Sequence, residues 1–203
     1  MSETLYSAER DLKEARAMVE GLADYVQEEP LYGRTRGGMF GSGSMPALTI
    51  GALQMRLRRL RALDLGLSPA QRDQLSQIER QHDATRSEWR SHYLEKMHRE
   101  GESRLKAMNT FFEECLDDPR QCPNIYLPEA LRRTIVQEIA LAFSDMGEAH
   151  DELIKAMRRV DGKLRGVVQP CEFVWAAALE TVYPAAEFWW LYAKPPRVDR
   201  DPR

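Results

Sequence analysis

The sequence predicts an all-α protein of about five helices. One of them is very long and bent, forming a helical hairpin or coiled-coil arm, and an aromatic-rich strap follows at the C-terminus. Three observations predict this. From Pro69 to Asp118 there is no further proline, and Gly101 is the only glycine. That stretch is crowded with Gln, Glu, Arg, Lys and Leu, which lose little rotamer freedom in a helix. On either side of it, apolar residues recur at spacings of three and four, with glycines and prolines falling between the periodic segments. An unbroken helix over 69–118 would run roughly 75 Å. A compact domain of this chain length has a radius of gyration of about 17 Å. Such a helix must bend, project, or pack along a partner.

The first helix is expected over 3–27. Leu5, Ala8, Leu12, Ala15, Val19, Leu22 and Val26 follow a heptad seam through it. Leu5, Leu12, Val19, Leu22 and Val26 are therefore candidates for a self-association seam, and the alanines permit close approach of a second helix. Pro30 ends the segment. Residues 30–46 carry five glycines between two prolines and read as a flexible loop. With Arg34 and Arg36 ahead of a helix start, the loop is also a candidate anion cradle, although it lacks a GK[ST] ending. A second helix over 47–65 has Ile50, Leu53, Leu57 and Leu60 on its apolar face.

Gly66 is placed as a terminator, and Ser68, Pro69 and Gln71 form a capping-box start for the long helix. Residues 79–92 contain one large apolar side chain, Trp89, and are expected to be exposed or bridging. Apolar spacing resumes with Tyr93, Met97, Leu105, Met108, Phe112 and Cys115. Gly101 lies on that face and marks a bend or a close helix crossing. Residues 119–127 read as a turn, and Pro128 opens a fourth helix that Gly147 breaks. A fifth helix carries Leu153, Met157, Val160 and Leu164 and stops at Gly166. The domain reading is a single all-helical domain over 1–192 with a disordered tail over 193–203.

Apolar content of 43% and charged content of 30% are those of a soluble globular protein. The net charge of −3 gives the whole molecule no general attraction for nucleic acid or anionic membrane. The longest apolar runs fall far short of the roughly 20 residues of a membrane span. The N-terminal residues show no basic segment followed by an apolar run, so no signal peptide is read and a cytoplasmic location is expected. Cys115, Cys122 and Cys171 match no CxxC pattern and are expected as reduced thiols. A Cys115–Cys122 bond would need a tight turn and an oxidising compartment.

Five side-chain groups are candidates for function. Glu79/His82 and Glu95/His98 are ExxH pairs with the spacing that di-iron bundles use. Sixteen residues separate them, roughly 24 Å along a helix, so one chain cannot join them at one metal. Solvated surface is expected, with no metal and no cofactor. Arg56, Arg58, Arg59 and Arg61 form the densest basic cluster, a candidate anion or nucleic-acid contact. Ion pairs with neighbouring helices are the competing reading. Glu113, Glu114, Asp117 and Asp118 crowd a helix C-terminus, where the dipole is already negative. Arg120, Arg132 and Arg133 are expected to offset them. The segment 173–192 holds seven of the 17 aromatic residues. Phe188, Trp189, Trp190 and Tyr192 are its candidate partner-binding residues. Trp189 and Trp190 splay about 100° apart on any helix, so one should be partly exposed. The four histidines sit in no catalytic motif.

The run Leu65-Gly66-Leu67-Ser68-Pro69-Ala70-Gln71 resembles the LTxxQ motif of the Spy/CpxP family of periplasmic stress and metal-responsive proteins, with Ser68 where that family carries Thr. The resemblance spans about a dozen residues and implies a long, bent helical hairpin that is often dimeric. A capping box accounts for the same letters, and no function is carried across. The functional expectation is a non-enzymatic helical interaction or scaffold protein that associates with itself and with another protein. Nucleic-acid binding through the Arg-rich second helix is the alternative.

Overall fold

The computed structural model describes residues 5–35 and 45–196. The described residues are mostly helical and form six α-helices: α1 Ala8–Gln27, α2 Ile50–Ala62, α3 Pro69–Glu88, α4 Arg90–Asp117, α5 Cys122–Asp145 and α6 Asp151–Val167. Short 3-10 turns cover Asp64–Gly66, Ala177–Val182 and Trp189–Tyr192. Two two-residue strands, β1 Gln169–Pro170 and β2 Ala193–Lys194, pair antiparallel with Pro170 opposite Ala193. The chain divides into two compact units, one built from Tyr6–Glu100 and one from Gly101 onward.

In the first unit α1 packs on both α2 and α3. Ser7 caps α1 through its side chain, Thr49 caps α2, and Ser68 with Gln71 forms the capping box that starts α3. The heptad residues Leu12, Ala15, Val19, Leu22 and Val26 are all buried. The expected self-association seam is thus filled by the chain's own α2 and α3, and only Leu5, ahead of the helix, stands exposed at 87%. A seam predicts that an apolar face is covered and says nothing of whether the cover is the same chain.

The coiled-coil arm expected over 69–118 does not form. The helix breaks at Trp89, whose φ of −110° and ψ of 34° leave the helical region. The bonds from Trp89 N–H to the Thr85 carbonyl and from Tyr93 N–H to the Trp89 carbonyl are both kept at 2.9 Å. The turn at this corner is sharp, because His82 Nε2 and the Tyr93 hydroxyl meet at 2.8 Å. On one straight helix those two residues would lie ~16 Å apart along the axis, beyond the reach of both side chains. Gly101 is therefore not the bend. It lies mid-helix in α4, where an added Cβ would come within 2.9 Å of Leu153 Cδ1 and 3.8 Å of Ile139 Cγ2, so it is a close crossing.

In the second unit, α5 starts at Cys122 rather than at Pro128, which lies inside the helix. Gly147 takes a positive φ of 69° and ends the connection after α5, as the sequence suggests. Leu153, Met157, Val160 and Leu164 form the buried stripe of α6. The strap from 173 onward is a core layer. Phe188, Trp190 and Leu191 are buried, Trp190 Nε1 donates to Thr134 Oγ1 at 2.9 Å, and the Tyr126 hydroxyl donates to the Trp190 carbonyl at 2.6 Å. The tail expectation is corrected at its start, since Ala193 and Lys194 form β2. Residues 197–203 lie outside the described residues, as do 36–44 of the Gly-rich loop and the first residues expected in the opening helix.

Candidate functional site

An apolar cleft of about 390 Å³ in the first unit is lined by Tyr6, Ala8, Ala62, Leu63, Leu65, Gly66 and Leu67. Local rules build it. α2 ends at Ala62, the 3-10 turn Asp64–Gly66 reverses the chain, and the capping box at Ser68 launches α3. Leu67 turns inward and is buried, whereas Leu65 stands out at 96% exposure on the rim.

Next to the cleft is a layer of buried charge. Tyr6 lines the recess, and its hydroxyl, with Arg59 and Arg56, favours the charged form of Asp11. Burial outweighs all three and raises the Asp11 pKa. Burial also acts to raise Glu14, but hydrogen bonds from Arg10 and Arg56 prevail and hold it below the usual carboxylate range. Arg56 donates to Glu14 through Nε at 2.8 Å and Nη2 at 2.5 Å, and through Nη1 to the Ala52 carbonyl at 2.8 Å. Arg59 lies 3.7 Å from Asp11, and Arg61 donates to Glu79 at 2.6 Å. Arg58 is half-buried and has partners of its own. The candidate anion surface of Arg56, Arg58, Arg59 and Arg61 is thus largely committed to ion pairs with α1 and α3.

The Glu79/His82 pair does not act as a pair. Glu79 turns to Arg61, while His82, 1% exposed, turns into the core between α2 and α4. The Tyr93 hydroxyl donates to His82 Nε2, Gln54 Nε2 donates to the Tyr93 hydroxyl at 3.0 Å, and His82 Nδ1 faces Asp83 Oδ1 at 3.1 Å. This arrangement holds a neutral imidazole, and burial lowers the His82 pKa to about 4. Burial likewise pushes the Tyr93 phenol up. Sequence reasoning took His82 and Thr85 for solvated surface because their neighbours along the chain are charged. The only signal that could have found them is that Leu75, Ile78, His82 and Thr85 continue one helix stripe. Glu95 lies 3.9 Å from Arg99. Among the described residues no group of three or more metal-ligating side chains comes together.

The described part of the Gly-rich loop is its base. Gly33 and Leu48 exchange both backbone hydrogen bonds at 3.0 and 2.9 Å. Lys96 Nζ donates to the Pro30 carbonyl at 2.6 Å, and Tyr25 donates to the Leu31 carbonyl at 2.7 Å. A Cβ at Gly33 would lie 2.6 Å from the Tyr25 ring, so the base requires glycine there. Arg34 is exposed beside this base, and Arg36 lies outside the described residues.

In the second unit, Phe188 and Trp190 are core, while Trp189 and Tyr192 are half-buried. Arg133 stacks 3.9 Å over Trp190 and grips Asp161 at 2.7 and 2.9 Å. Arg165 lies 3.8 Å over Trp189. Arg133 is therefore spent on Asp161 and Arg132 on Glu129, so neither offsets the acidic end of α4. Arg120 alone of the three reaches it, at Asp118, where its hydrogen bond holds that carboxylate below the usual range. Cys115 and Cys122 are joined in a disulfide, which corrects the expectation of reduced thiols. The link between α4 and α5 is short enough to bring their Cα atoms to 5.1 Å, and Cys171 is the free cysteine. Among the described residues no helix is long and apolar enough to cross a membrane. No protein-family model, no curated protein and no solved structure matches this chain.

Proposed function

We propose that this chain is a non-enzymatic helical interaction protein that self-associates through the Leu65 cleft rather than through the heptad seam. One observation carries the reading: Leu65, 96% exposed, stands on the rim of an apolar recess of about 390 Å³. A knob and a hole on the same patch are self-complementary. Two copies related by a two-fold axis can each seat Leu65 in the other's cleft. Of the four candidate partner-binding residues, the half-buried Trp189 and Tyr192 are the ones left for a different protein partner. Nucleic-acid binding has less support, because Arg56, Arg59 and Arg61 already neutralise Glu14, Asp11 and Glu79. A cytoplasmic address belongs to the same proposal.

Light scattering on a gel-filtration peak tests it. The wild-type chain at tens of micromolar should give more than one chain per particle. Leu65→Glu should give one chain, with an unchanged melting temperature because the side chain touches little of its own fold. A strictly monomeric wild type over that range overturns the proposal.

A further inference from the structure

Apart from local backbone turn hydrogen bonds, such as Gln121 N–H to the Asp118 carbonyl at 3.0 Å, and the Arg120–Asp118 pair, the α4–α5 connection is held by its disulfide. Cys115 lies in the last turn of α4, and Cys122 is the first residue of α5. Glu113, Glu114, Asp117 and Asp118 load the negative end of α4, and that last turn holds no basic residue. Arg120 reaches Asp118 only, and Arg132 and Arg133 are engaged elsewhere. On the other side, Gln121 gives α5 no side-chain cap, and Pro128 removes one N–H from the ladder inside its second turn. The first firm non-covalent lock is one turn further in. There Phe111 and Tyr126 meet with ring centroids 6.3 Å apart, and Tyr126 is fixed to the Trp190 carbonyl.

We infer that the Cys115–Cys122 pair is a thiol-responsive clasp, whose reduction releases the tip formed by residues 113–124 while the Phe111–Tyr126 contact keeps the rest of this unit folded. The chemistry is thiol–disulfide exchange with a dithiol reductant. One thiolate attacks a protein sulfur and the S–S bond breaks, leaving a mixed disulfide. The second thiol then resolves it. Two electrons pass to the protein sulfurs, which leave with two protons as thiols, and the reductant departs as its cyclic disulfide. Both cysteines are buried, but Leu116 and Asp117 beside Cys115 are exposed, so fraying of the helix end gives the reductant its path. In the cytosol, disulfides of this transient kind are redox sensors rather than staples.

The full chain is oxidised, then held with dithiothreitol or in glutathione buffers of graded ratio. Alkylation and peptide mass mapping report the bond, and amide hydrogen exchange reports the tip. Reduction should make Cys115 and Cys122 alkylatable together and speed exchange over 113–124 by about tenfold or more, with 8–27 and 151–167 unchanged. The variant Cys115→Ser with Cys122→Ser should show the fast tip in both buffers, which separates loss of the bond from any other effect of the reductant. Three results overturn the inference: both cysteines alkylate fully after oxidation, the tip exchanges equally in the two states, or the bond stays closed at a reducing glutathione ratio.

Discussion

Both units bury ion pairs, but the interior of the first adds a polar triad around a buried histidine, whereas the interior of the second adds a layer of aromatic rings tied to backbone and side-chain acceptors. Between α1 and α2 the buried groups are Asp11, Glu14 and Arg56, and between α2, α3 and α4 the buried His82 and Tyr93 meet the half-buried Gln54. In the second unit a chain of ring contacts runs Trp175, Tyr183, Phe188, Trp190, with centroids 5.3, 4.9 and 5.5 Å apart. The difference matters for how each unit responds to change. Paired buried charge gives little net stability yet costs several kcal/mol when one partner is lost. Stacked rings contribute directly through the apolar area they remove from water. The first interior should therefore be sensitive to pH, and the second to the loss of side-chain volume.

The largest effect is expected in the second unit. Trp190→Ala removes a fully buried ring, its bond to Thr134 and the surface under Arg133. It should destabilise this unit by about 4 kcal/mol in urea titrations followed by near-ultraviolet dichroism. A loss below about 1 kcal/mol would mean the strap is not a core layer.

The pH effect belongs to the first unit. The folded-state His82 pKa of about 4 lies below its unfolded value of about 6.5, so between those values the unfolded chain binds a proton that the folded one does not. This contribution is complete above pH 6.5 and is lost as pH falls toward 4, by up to about 3 kcal/mol. Unfolding free energy measured from pH 7 to 4 should show that slope in the wild type and a flatter one in His82→Gln. Equal slopes would break the contrast between the interiors.

The smallest effect compares two glycines of the second unit. At Gly162, within α6, an added Cβ would meet nothing within 4 Å, so Gly162→Ala should gain about 1 kcal/mol of helix propensity. Gly101→Ala should gain nothing, because its Cβ meets Leu153. Thermal melts of the two variants suffice, and an equal rise for both would deny the crossing at Gly101.

Helix starts governed by local chemistry were readable from sequence. Ser68, Pro69 and Gln71 satisfy orphan N–H groups within one turn, so nothing distant is needed to recognise them. The break at Trp89 was not readable, because no glycine or proline marks it and its cause is tertiary: His82 and Tyr93 must reach each other and Gln54. The start of α5 was missed because Pro128 looks like a first-turn residue, yet the chain is already helical from Cys122. Of the proposed contact surface, the sequence showed Leu65 and the turn around it but not the recess, which needs Tyr6 and Ala8 brought from the start of α1. The exposure of the C-terminal tryptophans was half readable. Adjacency required Trp189 and Trp190 to differ in exposure, and only packing decides which one is inside.

The corner at Trp89 also gives the chain a built-in optical probe. The other three tryptophans, Trp175, Trp189 and Trp190, all belong to the second unit, so Trp89 is the sole indole of the first. It is half-buried, and its ring sits edge-on to His92 with centroids 5.8 Å apart. With the other three replaced by phenylalanine, or with 5-fluorotryptophan resolved by fluorine resonance, emission or chemical shift at this one residue reports whether the α3–α4 corner keeps its packing.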